Sequence, residues 1–503
     1  MIVSQERAFL NAQARLEKIR RYVEQAANSG ERIDRVEREL FGQLLELGRT
    51  LLRAFVDGQG DGDAGRSIEI DGAELRRLSG PRERRYLSVF GELAIKRRVY
   101  GTREGQRIEH VPLDARLGLP EGEFSYVLMD WLQRLCVKES FREAVTDLRA
   151  LLNLAPSERA AEQMNQHMAQ DAEIFQAHKS PPEPDTEGEI LVVTADGKGV
   201  PMRRPLEERT HRSHPRRGKG EKANKKQMAY VGAVYSINPF PRSAADVVDE
   251  VCRKRRVEDR PEPQNKQMWA EMTRCLDDNG AAGRERVFVE MAIACKDRDP
   301  DRKKTLVCLL DGERALWQMS GEWLPQAVGV FDLFHVLERL WTAAHCFHSE
   351  GSPEAAAFVS HRLTMLLEGK VGHVIGGLRR LRDHHTLKGE RLKRINAAIA
   401  YYENNREHMK YDEYLAADYP IGSGVAEGAC RHRHLVKDRI KGSGMRCTVP
   451  GAQAMVHLRA VYLNGRWDEF IEYHAETEQA KLYGKAAAWR CASYAQLNPH
   501  LLA

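Results

Sequence analysis

The sequence predicts an α/β protein whose sheet-bearing core is preceded and interrupted by long helical segments. Five apolar runs read as strands: EILVVTA before Asp196, MAYVGAVYSI at 228–237, RVFVEMAIAC at 286–295, TLVCLL before Asp311, and AVGVF before Asp332. EILVVTA, TLVCLL and AVGVF are near-continuous aliphatic runs, which is typical of strands covered on both faces inside a mixed or parallel sheet. Helical patterns separate several of the runs, and this alternation defines the α/β class.

The N-terminal segment, residues 1–56, predicts two long helices. Apolar residues recur there at three- and four-residue spacings, for example at Leu16, Ile19 and Val23 and again at Leu40, Leu44 and Leu47. Such spacing places apolar side chains on one face of a helix. We expect a helical arm that contributes to dimerisation.

Residues 66–178 predict a DNA-binding region. YLSVFGELAIKRRVYGTR reads as two strands joined by a turn at Gly91-Glu92, and helical patterns resume at Phe124. Ser140 and Glu143 form a capping box, Asn153-Leu-Ala-Pro156 forms a turn, and a second helix follows. This helix-turn-helix candidate carries side chains able to read base edges, namely Arg159, Gln163 and Asn165. An ordinary helical hairpin packed on the core is the alternative.

The Pro-rich, acidic stretch 179–189 predicts a domain boundary. Beyond it we expect the first part of the sheet core at 188–334, an all-helical insertion at 335–418, and the completion of the core with C-terminal helices at 419–503.

Strand-end carboxylates are the candidate catalytic groups. Asp196 and Asp311 each follow an aliphatic strand and precede a glycine, and α/β sheets collect functional residues at the carboxyl ends of their strands. Glu427 lies in a glycine-flanked helix start and is not readily a capping-box residue, because Gly424 three positions earlier has no side chain. Both aspartates can alternatively be turn or helix-cap residues. If the three carboxylates converge, cations must neutralise them, and two Mg²⁺ ions are suited to that task.

Four motifs in a fixed order, TADGKGV, LLDGERALW, FDLFHVLERLW and GSGVAEGACRH, resemble those of the DDE transposases of bacterial insertion sequences. The resemblance is to the ISKra-type group, which is related to the Mutator-like elements, and it runs from about Leu191 to Tyr473. It implies an RNase H-like core with Asp196, Asp311 and Glu427 as the acidic triad. It also implies Mg²⁺-dependent cleavage at transposon ends, with Mn²⁺ expected to substitute, and attack of a freed 3′-OH on target DNA.

The family's C/D-x-x-H signature corresponds to Asp332-Leu-Phe-His335. Asp332 could compete for metal, and His335 could contact a phosphate or orient an acidic group. A buried Asp–His pair that holds the start of the helix is the alternative.

Basic residues near the acidic motifs predict DNA contacts. Residues 198–227 hold eleven Lys or Arg and three Glu, a net charge of +8, which suits phosphate neutralisation. The residues expected to contact DNA in this segment are Arg203, Arg204, Arg212, Arg216, Arg217, Lys219, Lys225 and Lys226. After Glu427, the expected DNA contacts are Arg431, His434 and Lys437. A solvated loop is the alternative for the first segment.

Two departures from the family pattern favour other functions. The chain has Arg-His-Arg-His at 431–434 where the family has one Arg-His pair, and it has Cys447 where the family usually has Trp. One alternative is a decayed or domesticated transposase that acts as a sequence-specific DNA-binding protein. Another is a structure-selective nuclease that has the acidic triad but no strand transfer.

The remaining composition indicates where the protein acts and with what partners. No run of 18 apolar residues exists, the first residues show no secretory pattern, and nine isolated cysteines indicate reduced thiols. We therefore expect a cytoplasmic, bacterial protein that associates with the nucleoid when bound to DNA. The expected partners are double-stranded terminal inverted repeats, target DNA and at least one further copy of the chain, with no membrane involved.

Overall fold

The computed structural model describes residues 2–70, 72–103, 108–183, 186–203, 226–252, 260–272, 281–422, 435–436, 439–440 and 447–484. These residues form two compact units. One unit comprises the described residues up to Phe175 together with those from Arg466 onward, and the other lies within Gln176–Gly465.

The helices are, in chain order, α1 (Ile2–Ser29), α2 (Ile33–Gly58), α3 (Pro112–Leu117), α4 (Tyr126–Cys136), α5 (Phe141–Leu152), α6 (Glu158–Ala177), α7 (Ala244–Val251), α8 (Ala281–Arg298), α9 (Arg314–Trp323), α10 (Leu333–Ala344), α11 (Pro353–Leu367), α12 (Val371–His384), α13 (Gly389–Asn404), α14 (Tyr411–Ala416), α15 (Val449–Leu463) and α16 (Trp467–Tyr483). A short 3₁₀ helix spans Arg406–His408.

The strands are β1 (Ser67–Ile70), β2 (Ala73–Arg77), β3 (Arg82–Ser88), β4 (Gly91–Arg97), β5 (Tyr100–Gly101), β6 (Ile190–Pro201), β7 (Lys226–Ile237), β8 (Gln264–Met272), β9 (Thr305–Leu310) and β10 (Val328–Phe331).

The first unit combines helices with two small antiparallel sheets. The long helices α1 and α2 pack against each other where the apolar spacing predicts them. β1, β2 and β5 form one sheet, and β3 and β4 form the expected hairpin. The prediction that its turn lies at Gly91-Glu92 is wrong, because both residues are paired in β4 and the turn is at Val89-Phe90. The helical pair α5 and α6 follows, with the capping box of Ser140 and Glu143 present at the start of α5.

A mixed five-stranded sheet forms the centre of the second unit. The strand order is β10-β9-β6-β7-β8. β6 and β8 each pair antiparallel with β7, whereas on the other side of β6 the strands β9 and β10 pair in parallel. This mixed α/β arrangement agrees with the expected class and is compatible with an RNase H-like core.

The prediction of a strand at 286–295 is wrong, because this segment belongs to helix α8. Its buried apolar residues are Val287, Phe288, Met291, Ala294 and Cys295, which recur at helical spacing, and the helix packs on strands β7 and β8. Gly232 of β7 permits the close approach, since a Cβ there would lie 2.4 Å from Val287 Cγ1. The fifth strand is instead β8, at the edge of the sheet.

Helices α10 to α14 follow β10, in a region where the sequence shows no strand pattern. Two buried tyrosines connect these helices to the strand end and to each other. Tyr411 donates a hydrogen bond to the Phe331 carbonyl oxygen at 2.8 Å, and Tyr402 donates one to the Val336 carbonyl oxygen at 3.0 Å. Within the described part of the chain, no helix combines the length and the apolar character that crossing a membrane requires.

Candidate active site

Three aspartates come one residue after the parallel-paired parts of three neighbouring strands, although strand β6 itself continues past Asp196 to Pro201. Leu310, the last residue of β9, is in register with Ala195 of β6 on one side and with Phe331 of β10 on the other. The next residues along the chain are Asp196, Asp311 and Asp332. The parallel register therefore brings the two predicted catalytic aspartates to the same edge of the sheet, with Asp332 beyond them.

Asp196 lies on β6 beyond its parallel pairing with β9, opposite Val231 of β7. Its Oδ2 atom is 2.8 Å from the ammonium nitrogen of Lys198, and the Asp196 side chain remains 21% exposed. Because Lys198 is two residues further along the same strand, the two side chains lie on one face of the sheet. This carboxylate is thus both paired with a cation and reachable from solvent.

Asp311 is held firmly by the turn that follows β9. Its Oδ1 accepts a hydrogen bond from the Glu313 backbone N–H at 2.8 Å, and its carbonyl oxygen accepts one from Trp317 Nε1 at 2.8 Å. Burial raises the pKa of Asp311, and the charge of Asp196 raises it further, while His335 and Lys198 act in the opposite direction. The raised pKa means that the negative charge of Asp311 is less favourable in the folded protein than in water, and that His335 and Lys198 do not fully offset this.

Glu313 is a third carboxylate at this position, and the sequence reasoning missed it. Its Oε1 accepts a hydrogen bond from the Tyr230 hydroxyl at 2.8 Å. Burial raises the pKa of Glu313, as do the charges of Asp311 and Asp196. The signal that was available is its position, two residues after Asp311 in the strand-end turn.

Two glycines allow the surrounding chain to close on these acids. A Cβ at Gly197 would lie 3.0 Å from Glu313 Oε2, and a Cβ at Gly312 would lie 2.6 Å from Cε2 of Tyr401. Burial and the charge of Asp311 raise the pKa of Tyr401 to about 12. Helix α13, which carries Tyr401, therefore forms one wall of the site.

Asp332 is a helix cap. Its Oδ1 accepts a hydrogen bond from the Phe334 backbone N–H at 2.9 Å at the start of α10, and only 5% of the residue is exposed. His335 is one-third exposed, and its Nδ1 lies 3.8 Å from Glu338 on the same helix. The hydrogen bond to Phe334 gives Asp332 a structural role at the start of the helix. His335 lies close enough to Asp311 for its positive charge to lower the pKa of that carboxyl.

The donor chemistry of the strand-end site fits hard divalent cations. Asp196 and Asp311 offer only carboxylate oxygens, which Mg²⁺ and Mn²⁺ prefer. The half-buried position of the Asp311 carboxylate, whose pKa is raised by burial and by the charge of Asp196, supports such a cation. Among the described residues, however, the His, Cys, Asp or Glu side chains that bring three ligand atoms within 4.8 Å of one another are at a different place. They are His167, His474 and Glu478.

Many predicted contact residues lie outside the described residues. These are the third acidic residue Glu427 and the basic residues Arg204, Arg212, Arg216, Arg217, Lys219, Lys225, Arg431, His434 and Lys437. The backbone of Lys226 begins β7, and Arg203 is exposed, with its N–H donating to the Cys447 carbonyl oxygen at 2.7 Å. Ahead of Glu427, the described chain ends at Gly422. The carbonyl oxygen of the preceding residue, Ile421, accepts a hydrogen bond from the Leu333 backbone N–H at 2.9 Å.

In the helix-turn-helix candidate, one of the three predicted base-reading residues is misassigned. Arg159 and Gln163 are exposed on α6. Asn165 is 1% exposed, and its Nδ2 donates to Gln133 Oε1 at 2.9 Å, so this side chain cannot reach a base edge. It lies on the buried stripe of α6 between Met164 and Met168.

Comparisons with known proteins give little further information. No family model and no curated protein matches the chain. Among solved structures, the chain is similar to one of the "Drosophila P element transposase strand transfer complex", with 10% sequence identity and a TM-score of 0.22. The alignment covers 70% of this chain and 80% of that chain. A TM-score this low establishes neither a common fold nor a common activity.

Proposed function

We propose that the chain is a DDE-type DNA transposase with an RNase H-like core. The observation that carries the proposal is the side-by-side placement of Asp196 and Asp311, each one residue beyond the parallel-paired part of the adjacent strands β6 and β9. The half-buried position of the Asp311 carboxylate near that of Asp196 is the second support. Three of the four motifs that resemble those of insertion-sequence transposases include residues of β6, β9 and β10, and the fourth, from position 423 onward, lies outside the described residues.

Asp196 and Asp311, together with Glu427, would hold two Mg²⁺ ions, with Mn²⁺ able to substitute. When bound, such ions lower the pKa of the attacking hydroxyl and stabilise the charge that develops on the scissile phosphate. The chain itself positions the acids: the Glu313 N–H fixes one oxygen of Asp311, and Tyr230 holds Glu313 in the adjoining turn. Lys198 neutralises part of the negative charge beside Asp196.

DNA binding is assigned to basic segments that flank the acids. Arg203 and the Lys- and Arg-rich residues that follow it would neutralise backbone phosphates, and Arg159 and Gln163 of α6 would contact the terminal repeats. Bringing two transposon ends together requires at least a dimer. On this proposal the protein acts in the bacterial cytoplasm, on the nucleoid.

The test is DNA cleavage by the full-length protein on labelled fragments that carry the ends of its own element. We expect cleavage with Mg²⁺ or Mn²⁺ and a loss of at least about 1,000-fold in Asp311→Asn and Asp196→Asn, since each substitution removes a ligand charge from the reacting centre. Asp301→Asn is the matched control, because Asp301 is an exposed residue just ahead of the opposite end of β9.

The alternatives predict different results in the same assay. Specific binding to the ends without cleavage by any variant indicates a DNA-binding relic and overturns the proposed activity. Cleavage that is equal in wild type and in Asp311→Asn contradicts the assignment of the acidic site. Cleavage without joining indicates a structure-selective nuclease.

A further inference from the structure

A cluster of imidazole and carboxylate groups in the other compact unit has no part in the proposed transposase chemistry. His167 lies on α6, and His474 and Glu478 lie one helical turn apart on α16. One ligand atom from each of the three residues lies within 4.8 Å of the other two. The two helices are far apart in sequence, with His167 and Glu478 separated by 311 positions.

A carboxylate holds the imidazole ring of His474 in place through its Nδ1 atom. Its Nδ1 is 2.7 Å from Asp171 Oδ2, and Asp171 in turn accepts a hydrogen bond from Lys481 Nζ at 2.8 Å. Because an ionised carboxylate only accepts hydrogen bonds, Nδ1 carries a proton, and in the neutral ring this leaves Nε2 as the nitrogen with the lone pair that a metal binds. A histidine whose second nitrogen is held by a carboxylate is the usual arrangement around protein-bound zinc.

Among the described residues, none makes a hydrogen bond with His474 Nε2. The residue is 1% exposed, and Nε2 makes no hydrogen bond. A buried polar atom left in this way costs free energy unless a ligand satisfies it. Glu478, 5% exposed, is the carboxylate of the cluster, and its Oε1 lies 3.1 Å from His167 Nε2.

The distances agree with coordination. Zinc–nitrogen and zinc–oxygen bonds of about 2.0–2.2 Å at a tetrahedral angle place two ligand atoms roughly 3.3–3.5 Å apart. The 3.1 Å between His167 Nε2 and Glu478 Oε1 is close to that separation, and the third atom is near enough to join by a small side-chain adjustment. Two imidazoles and one carboxylate favour zinc and other transition metals over Mg²⁺.

We propose that His167, His474 and Glu478 form a zinc-type transition-metal site that joins α16 to α6. Asp171 is the positioning residue that orients His474. Three protein ligands leave a fourth position for water, and the metal cross-links a segment near the C-terminal end of the described chain to a helix of the N-terminal half. Because these residues belong to a different unit from Asp196 and Asp311, the site can be tested separately from transposition.

The experiment uses the full-length protein, stripped with EDTA and then titrated with Zn²⁺ or Co²⁺. We expect one equivalent of metal per chain at this site, a visible Co²⁺ absorption band of four-coordinate type, and a rise in Tm of several degrees at saturating zinc. The titrations are run in excess Mg²⁺, which fills any site at Asp196 and Asp311 and should not replace Zn²⁺ or Co²⁺ at this cluster.

His167→Gln is the decisive variant, because the His167 side chain is 41% exposed and its replacement leaves the buried Asp171–His474 pair intact. Loss of an orienting neighbour typically weakens metal binding by about 10–100-fold, so loss of a ligand should cost about 100-fold or more. His361→Gln, at an exposed position of α11, is the matched control and should bind metal as the wild type does.

Two outcomes would overturn the proposal. If the stripped and loaded proteins melt at the same temperature and hold no stoichiometric metal, the cluster is an ion-pair network only. If His167→Gln binds zinc as tightly as His361→Gln, the metal sits elsewhere in the chain. Asp171→Asn gives a second check that does not alter a ligand, since it should weaken the metal affinity by about 10–100-fold.

Discussion

Asp196 and Asp311 occupy the same level on two adjacent parallel strands, because each directly follows one member of the registered pair Ala195 and Leu310. Burial and the charge of Asp196 raise the pKa of Asp311 above its ordinary value. The site thus concentrates negative charge where a sheet of this topology presents its loops, and Lys198 offsets only part of it.

Removing the Asp311 charge should stabilise the metal-free protein. A pKa raised in the folded state means that the ionised carboxylate disfavours folding at every pH above that pKa. We therefore expect Asp311→Asn to raise Tm in EDTA at pH 7 by a few degrees, since ~1 kcal/mol corresponds to about 2–4 °C in a domain of about 150–250 residues. Calorimetry should also show that Mg²⁺ stabilises the wild type and not the variant. A variant no more stable than Asp301→Asn in EDTA would contradict this expectation.

Asp332 should act through its helix cap. Asn caps a helix about as well as Asp, whereas Ala does not, and the loss costs about 0.5–2 kcal/mol. We expect urea unfolding to show a loss of about 1 kcal/mol or more for Asp332→Ala and a clearly smaller change for Asp332→Asn. Equal losses in both variants would show that the charge, and not the cap, is what the fold requires.

The contact between α8 and β7 should tolerate no side chain at position 232. A Cβ there would lie 2.4 Å from Val287 Cγ1 and 2.6 Å from Met291 Sδ, so Gly232→Ala should destabilise by about 1–3 kcal/mol. Gly321→Ala on α9 is the control, because nothing lies within 4 Å of its Cβ and alanine favours the helix by up to about 1 kcal/mol. If denaturant unfolding showed that both substitutions change the free energy of unfolding in the same direction, α8 could not pack on Gly232 as described.

Cys295 and Cys308 should resist alkylation in the folded protein. Burial raises the pKa of each thiol to about 12, so on the order of one molecule in 10,000 carries the reactive thiolate at pH 8. Cys252 is exposed and serves as the internal reference. Mass spectrometry after a short iodoacetamide pulse should find Cys252 modified and the other two protected until the protein is unfolded. Rapid native labelling of Cys308 would contradict its position in the core.

The strands next to Asp196 and Asp311 were predictable, because they are fully buried and read as continuous aliphatic runs. The edge strand β8 was not, since QNKQMWAEM mixes polar and apolar residues as a half-covered strand does. The strand predicted at 286–295 was wrong for a different reason. Its β-branched and aromatic residues favoured a strand, although Val287, Phe288 and Met291 already showed helical spacing.

The candidate site was predictable in part for a similar reason. A strand followed by Asp-Gly marks a position in sequence, so Asp196 and Asp311 could be found. The place of Glu313 depends on its hydrogen bond from Tyr230, on a strand about 80 residues earlier, and such a contact leaves no local pattern. The prediction for Asn165 was wrong because a polar residue was taken as exposed, although Ala161, Met168 and Ala169, one helical turn away, are apolar and buried.

Strand transfer tests the central claim most directly. Precleaved element ends with free 3′-OH groups should be joined to a target plasmid by the wild type and by Asp301→Asn in Mg²⁺, and not by Asp311→Asn or Asp196→Asn. Sequencing of the joints would show each 3′ end attached to target DNA. Joining by Asp311→Asn at the wild-type rate, or no joining by a wild-type protein that cleaves and binds the same ends, would contradict the account.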